Sequence, residues 1–311
     1  MKLTLRMYQD EDDYWRIRDF LRQVFLLNDR QELSWHVARL DYWWWRRNEF
    51  LGDYRIEEVV FIWETADGRI AAALNPESKG QVFQQVHPGL RTPELEEEML
   101  VLAEKHLAIS LPNGKRKLWA WADEQDNLRQ DILTCRGYTK VDKPDSKEYQ
   151  RRRSLDEPIL EAQPPPGYTV RSQGDVEEHP ARGWVSWKVF HPDEPDDDYG
   201  GWDWFLDVQC APLYRRDLDI VAVAPGGEYG AFSTIWYDDV TRTAYFEPVG
   251  TAPEHQRLGL GKAVMCEGLR RLKRMGATMS FVGSYTPPAH ALYASVGFTE
   301  YNLSEPWVKE L

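Results

Sequence analysis

The stretch Val249-Gly250-Thr251-Ala252-Pro253-Glu254-His255-Gln256-Arg257-Leu258-Gly259-Leu260-Gly261-Lys262 decides how this chain is read. A strand runs through Val249 to Thr251. From Gly259 onward Leu260, Val264, Leu272 and Met275 recur at helical spacing, Arg270 to Arg274 complement the C-terminal dipole, and Gly276 stops the helix. Between strand and helix lies a turn that carries Gly259 and Gly261. The first amides of a helix have no intrahelical acceptor, and glycines let an anion approach them without a clashing side chain. A pyrophosphate suits such a turn; a tight strand-to-helix connection without a ligand is the simpler alternative for two glycines taken alone. The pattern is neither the Gly-x-Gly-x-x-Gly dinucleotide fingerprint nor a Walker loop, because no Gly-Lys-Ser/Thr closes it.

Working outward from this turn, the second half reads as strand 168–171, helices around 175–190, strands 218–224, 229–237 and 243–251, helix 259–275, strand 278–284 and helix 288–296. This is a mixed α/β pattern. The same order occurs earlier in the chain. Leu3-Thr4-Leu5-Arg6 and Tyr168-Thr169-Val170-Arg171 lie 165 residues apart, as do Val86-His87-Pro88 and Thr251-Ala252-Pro253. Arg136-Gly137-Tyr138 matches Val296-Gly297-Phe298 at an offset of 160. Between the halves, Pro158 and Gln163-Pro164-Pro165-Pro166-Gly167 resist both helix and central strand, which places a stiff linker and a boundary near residue 160.

Composition bounds the function. The chain has 311 residues, long enough for about two domains. Apolar residues at 42% and fourteen Trp exclude a disordered chain. With 38 Lys plus Arg against 51 Asp plus Glu, the net charge is −13, which disfavours sequence-independent binding to nucleic acid. No apolar run approaches the ~20 residues of a membrane span, so a soluble cytoplasmic protein is expected, with no membrane partner. Cys135, Cys210 and Cys266 are far apart and form no Cys-x-x-Cys pair, so neither a disulfide framework nor a metal site is expected, and all three read as buried thiols.

The spacing Gln256-x-x-Gly259-x-Gly261 resembles the acetyl-CoA pyrophosphate motif, Gln/Arg-x-x-Gly-x-Gly/Ala, of the GCN5-related N-acetyltransferases (GNAT). Further on, Thr286-Pro287-Pro288-Ala289-His290-Ala291-Leu292-Tyr293-Ala294-Ser295-Val296-Gly297-Phe298 resembles that family's Asn-x-x-Ala-x-x-Leu-Tyr-x-x-x-Gly-Phe, with Thr286 in place of Asn. The two motifs cover residues 243–300 well, and the first half is similar to the same fold more faintly. The whole chain looks like two tandem GNAT-like acyl-CoA N-acyltransferase domains, arranged like the mycothiol synthase group. The resemblance implies an α/β fold with a mixed sheet, a degenerate non-catalytic domain over 1–155 and an acetyl-CoA-binding domain over 160–311. It implies that amides of Arg257, Leu258, Gly259, Leu260, Gly261 and Lys262 hold the pyrophosphate, with Gln256, Thr286 and Ala289 also binding the cofactor. Backbone at Val249 and Thr251 would pair with the pantetheine arm. Tyr293 would give a proton to the departing thiolate, or else pack in the core as a helix aromatic.

A base must also take the proton of an attacking amine. Strand alternation puts Glu247, Val249 and Thr251 on one face, so Glu247 is the favoured base, directly or through water; an edge glutamate in solvent or paired with Arg242 is the alternative, and Pro248 could break the alternation. His255 and His290 flank the two motifs but are left out, as lone loop histidines. In the first half, the offset of 165 places Glu94 and Glu96 where the second has Gly259 and Gly261, and carboxylates there would repel a pyrophosphate. Leu133 stands in place of Tyr293. The aromatics Trp35, Tyr42, Trp43, Trp44, Trp45, Trp184, Trp187, Trp202 and Trp204 suggest either core packing or an aromatic-lined pocket. The acidic run from Asp193 to Asp198 reads as a solvated loop or as a lip that attracts a cationic amine.

The expected activity is transfer of an acetyl group from acetyl-CoA to a primary amine of a small molecule. A non-enzymatic acyl-CoA sensor is one rival. A tandem GNAT-like aminoacyl transferase is another, disfavoured by charge, since Arg151-Arg152-Arg153 and Arg270 to Arg274 are a small basic set for RNA. The sequence does not identify the acceptor or the oligomeric state.

Overall fold

A computed structural model describes residues 2–311. The chain runs β1 (Thr4–Met7), α1 (Glu11–Leu27), α2 (Val37–Trp45), α3 (Arg47–Leu51), α4 (Ile56–Val59), β2 (Phe61–Glu64), β3 (Ile70–Asn75), β4 (Gln81–Val86), α5 (Pro93–His106), β5 (Ile109–Ser110), β6 (Arg116–Asp123), α6 (Asn127–Cys135), β7 (Thr139–Lys140) and β8 (Glu148–Ser154). It continues through β9 (Thr169–Ser172), α7 (His179–Phe190), α8 (Trp204–Gln209), β10 (Asp219–Val223), β11 (Tyr229–Asp238), β12 (Thr243–Thr251), α9 (Leu260–Met275), β13 (Met279–Ser284), α10 (Pro287–Ser295) and β14 (Glu300–Glu310). The mixed α/β class expected from the pattern of elements is what the chain adopts.

Two compact units divide the molecule. The first comprises the residues up to Trp43, Arg47–Tyr149 and Asn302–Leu311; the second comprises Trp44–Arg46 and Gln150–Tyr301. The division therefore falls ahead of the proline-rich stretch near residue 160, and the last ten residues return to the first unit. There β14 pairs antiparallel with β6, with Trp307 opposite Ala120. The strand buries Trp307 there and pairs an edge that β6 would otherwise leave open.

In the first unit the strand order is β1-β2-β3-β4-β6-β14, and in the second it is β8-β13-β12-β11-β10-β9. Each sheet contains one short parallel pair, β4 with β6 in the first unit and β12 with β13 in the second. In the second unit one face is covered by α9 and α10. Leu260, Val264, Leu269 and Leu272 pack there with Ile235, Ala244, Phe246, Tyr293 and Phe298. The other face carries α7, where Val185 meets Phe232 and Ala252.

Several surface expectations change inside this frame. Cys266 is buried, but Cys135 at the end of α6 and Cys210 after α8 are exposed. Trp35, Tyr42, Trp43 and Trp44 are buried, as the core reading requires, whereas Trp184 on α7 stays 37% exposed. Arg151 and Arg153, read as part of a basic run, are buried on β8. Arg151 Nη1 donates to Phe298 O at 3.1 Å, and Arg153 Nη1 donates to Val296 O. These guanidinium groups satisfy carbonyls just past α10, so they hold the fold and do not form a patch for RNA.

Candidate active site

The site starts where two parallel strands part. β12 and β13 pair at Thr243 with Met279, Ala244 with Ser280 and Tyr245 with Phe281, and the ladder between the described residues ends there. β12 nevertheless continues to Thr251, held on its other side by β11. Its edge over residues 249–251, past the last residue paired with β13, presents backbone groups that an extended ligand can pair with, as an added strand would.

The path of β12 is not regular. Phe246 lies opposite Ile235 and Val249 opposite Ser233, so Thr234 alone faces both Glu247 and Pro248. This β-bulge breaks the alternation on which Glu247, Val249 and Thr251 were expected to share a face. Phe246 and Val249 instead pack together against the α9 side of the sheet. Thr251 lies on that side too, close to Gly261. Glu247 sits in the bulge itself, half-buried, with its carbonyl accepting from Trp236 Nε1. Proline cannot donate to the ladder, and a bulge is where the strand accommodates it.

After Thr251 the chain makes a short 3-10 turn over Pro253–His255, then residues 256–259 lead into α9. Gln256, Arg257, Leu258 and Gly259 are exposed. Gln256 Nε2 reaches back to Thr251 O at 3.5 Å. Gly259 is the N-cap, at φ +80° in the left-handed region, and a Cβ there would meet nothing within 4 Å. Gly261 has a different task. A Cβ on it would lie 3.1 Å from Thr251 Oγ1 and 3.2 Å from Leu292 Cδ2, so its glycine lets the first turn of α9 approach β12 and α10 closely. Leu260 is buried, Lys262 half-buried, and the amides of Leu260, Gly261 and Lys262 open the helix where no intrahelical carbonyl can receive them. Residues 255–262 contain no Asp or Glu, and Glu254 immediately precedes them.

Tyr293 comes to the same region from α10. It is 7% exposed and packs with Leu260, Val264 and Phe246. Burial pushes its phenol well above the ordinary value, and the carboxylate of Glu247 pushes it further in the same direction. The two residues are therefore close enough to interact electrostatically, and Tyr293 stays protonated through the neutral range. Thr286 is the exposed N-cap of α10 and makes no side-chain cap bond; Ala289 packs against the core beside Leu292. Farther along α10, His290 Nδ1 lies 2.8 Å from Ser284 Oγ, which accepts from Arg151 Nε at 3.2 Å.

The first unit is built on the same plan and closed where the second is open. Its parallel ladder also ends early, at Val82 with Ala120. A 3-10 turn over Pro88–Leu90 again precedes the helix, but only Arg91 and Thr92 separate it from α5, where four residues precede α9. The turn is two residues shorter, so by helix caps Thr92 takes the place of Gly259 and Glu94 that of Gly261, a shift from the offset of 165. Thr92 Oγ1 accepts from Leu95 N at 3.2 Å and caps α5. Glu96, fully buried, accepts from Arg91 Nε at 2.5 Å, Arg129 Nη2 at 2.9 Å and Gln84 Nε2 at 2.8 Å. Arg91 in turn binds Asp126 through Nη2 at 2.7 Å. Ion pairs thus occupy the mouth of α5, and Leu133, the counterpart of Tyr293, is buried without a phenol.

Among the described residues no group of three or more His, Cys, Asp or Glu could hold a metal ion, and no helix is long and apolar enough to cross a membrane. The acidic run on the α7 side is exposed, with Asp196 paired to Lys188 at 3.0 Å and Glu194 to His191 at 2.9 Å.

Residues 175–298 match the model of the acetyltransferase (GNAT) family. Over 160 residues the chain is 32% identical to a mycothiol acetyltransferase of Thermomonospora curvata, covering 49% of this chain and 51% of that protein. The chain spans about half the length of this curated relative. Among solved structures, a GCN5-related N-acetyltransferase from Sphaerobacter thermophilus superposes with a TM-score of 0.67 at 15% identity, covering 99% of this chain and 95% of that one. A tandem GNAT protein from the clavulanic acid biosynthesis pathway gives 0.66 at 16% identity, over 99% and 98%. These likenesses extend the shared fold across both halves.

Proposed function

We propose, from the match of residues 175–298 to the GNAT acetyltransferase family model, that the second unit belongs to that family, binds acetyl-CoA and transfers its acetyl group to a primary amine of a small molecule. The observation that carries this reading is the turn at residues 256–262. It is free of carboxylates, opens α9 through a left-handed Gly259 with open space around it, and follows directly on the edge of β12 that β13 leaves unpaired. The residues fit a pyrophosphate at the amides of residues 257–262 and an extended arm along Val249 and Thr251.

Acetyl-CoA, when bound, supplies a thioester whose carbonyl carbon is the electrophile. Glu247 takes the proton that the amine nitrogen loses as its bond to that carbon forms, directly or through one water. Tyr293 gives its phenolic proton to sulfur as the carbon–sulfur bond breaks, so the products are an amide and a neutral thiol. Burial keeps Tyr293 protonated in the resting enzyme, so a proton is in place as negative charge develops on sulfur. The first unit, its helix mouth filled by Glu96 and its arginines, carries no second acetyl-CoA site. It serves as a non-catalytic domain.

The test is calorimetric titration of acetyl-CoA into the wild type, Gly259→Asn and Gly259→Asp. Both substitutions tolerate the left-handed conformation and have the same shape, but only Asp adds charge beside the pyrophosphate. Binding retained in the Asn variant and lost in the Asp variant supports the site; no binding to the wild type overturns it. A panel of primary amines, with free CoA thiol as the readout, then identifies the acceptor.

A further inference from the structure

His255 ends the 3-10 turn that precedes the glycine segment, and its side chain is 14% exposed. It points back across β11. Its Nδ1 lies 2.8 Å from the hydroxyl of Tyr168, the residue just before β9, and the two rings meet edge to face at 5.8 Å between centroids. Its Nε2 lies 4.0 Å from Glu228 on the turn before β11. The crossing is possible because residue 230 is glycine: a Cβ there would lie 2.9 Å from His255 Cγ and 3.0 Å from Leu260 Cδ1. One glycine slot thus receives both His255, immediately before the exposed residues 256–259, and Leu260, immediately after them.

Resting on the acetyl-CoA reading above, we infer that His255, braced by Tyr168, is a positioning residue that fixes the shape of the pyrophosphate turn. The residues between the two anchors are exposed, and Arg257 is held at φ +64°, which an L side chain rarely adopts. Little else restrains them beyond the long contact of Gln256 with Thr251 O. Anchoring both ends of a short segment on one strand limits the conformations that the amides of 257–259 can sample, and an ordered set of donors binds an anion more tightly than a mobile one. The molecule contains its own comparison. At the offset of 165 the first unit has Leu3 for Tyr168 and Leu90 for His255, and there the turn is two residues shorter and its helix mouth is closed by Glu96. The Tyr-His brace is present where the open turn is present and replaced where the turn is lost.

The experiment compares the wild type, Tyr168→Phe, His255→Leu and the double variant. Tyr168→Phe keeps the ring packing, and His255→Leu copies the first unit. Acetyl-CoA is titrated by calorimetry, and S-acetylpantetheine, which lacks the pyrophosphate, is followed by ligand-observed NMR. Each single variant should bind acetyl-CoA roughly three- to tenfold more weakly, as expected for one hydrogen bond. The double variant should be no worse than either single variant, and S-acetylpantetheine should bind all four proteins equally. Unchanged acetyl-CoA affinity in both single variants overturns the brace while leaving the transferase reading intact. Equal weakening of both ligands also overturns it, because the effect would not lie at the pyrophosphate. Absence of acetyl-CoA binding to the wild type overturns the transferase reading and this inference together.

Discussion

Burial and the charge of Glu247 keep the Tyr293 phenol protonated, and the acid role proposed for it can be tested apart from binding. Tyr293→Phe leaves the packing and removes only the proton, so turnover should fall by roughly 10²-fold or more while the dissociation constant of acetyl-CoA stays within about twofold. Titration beside steady-state kinetics checks this, and equal losses in both would remove the acid role. Glu247→Gln should lower turnover similarly without weakening acetyl-CoA. The motif in the sequence pointed to Tyr293 because it specifies a position on a helix, and helical spacing survives folding. Glu247 rests on alternation along β12, and alternation does not survive the bulge at Pro248. A different carboxylate supplies a prediction for pH. Asp123, at the end of β6, is pushed up to about 6 by burial and by Glu124, Asp126 and Glu305. Between the unfolded value near 3.8 and the folded value near 6 the native state binds the extra proton, so stability falls as pH rises through that window. Asp123→Asn keeps an oxygen to accept from Gln125 N and removes the buried charge. It should be more stable than the wild type at pH 7 by ~1–3 kcal/mol, with the gap closing near pH 4, as followed by denaturant unfolding at both values.

At the scale of elements, α9 is the best-determined piece of the molecule, since its apolar stripe, its basic last turn and its two flanking glycines all agree. What the sequence did not disclose is how closely it lies on the sheet. A Cβ at Gly268 would fall 2.2 Å from Ile235 Cδ1 and 3.3 Å from Phe246 Cε1. Ala favours helix over Gly by ~1 kcal/mol, so propensity alone predicts that Gly268→Ala stabilises. Overpacking costs ~1–3 kcal/mol and here it should win, leaving a net loss of stability measurable by denaturant unfolding. A gain would mean that Ile235 and Phe246 can move aside. The arginines of β8 show the same limit of legibility from the other direction. Three consecutive basic residues look like surface, but Arg151 and Arg153 face carbonyls that only the fold brings to them.

For the whole molecule, the repeat at 165 residues disclosed two copies of one plan, while the return of residues 302–311 to the first unit was not legible, because strand exchange leaves no periodic trace. Nor did the repeat show that the first copy's turn is shortened by two residues and its buried glutamate neutralised by two arginines. That arrangement bears on how many ligands the chain can hold. Opening a site at α5 would require displacing Glu96 from Arg91, Arg129 and Gln84, and a buried carboxylate stripped of its partners costs several kcal/mol. A pyrophosphate arriving there would meet the exposed carboxylate of Glu94 on the first turn, with Leu95 N already taken by Thr92 Oγ1. Acetyl-CoA should therefore bind with a stoichiometry of about one per chain, abolished by Gly259→Asp. Glu96→Gln should destabilise the first unit by about 3 kcal/mol or more without creating a second binding event, since Thr92 still caps α5 and the turn is still short. Two equivalents in the wild type, or one that survives Gly259→Asp, would locate a working site in the first unit and reverse the assignment of roles.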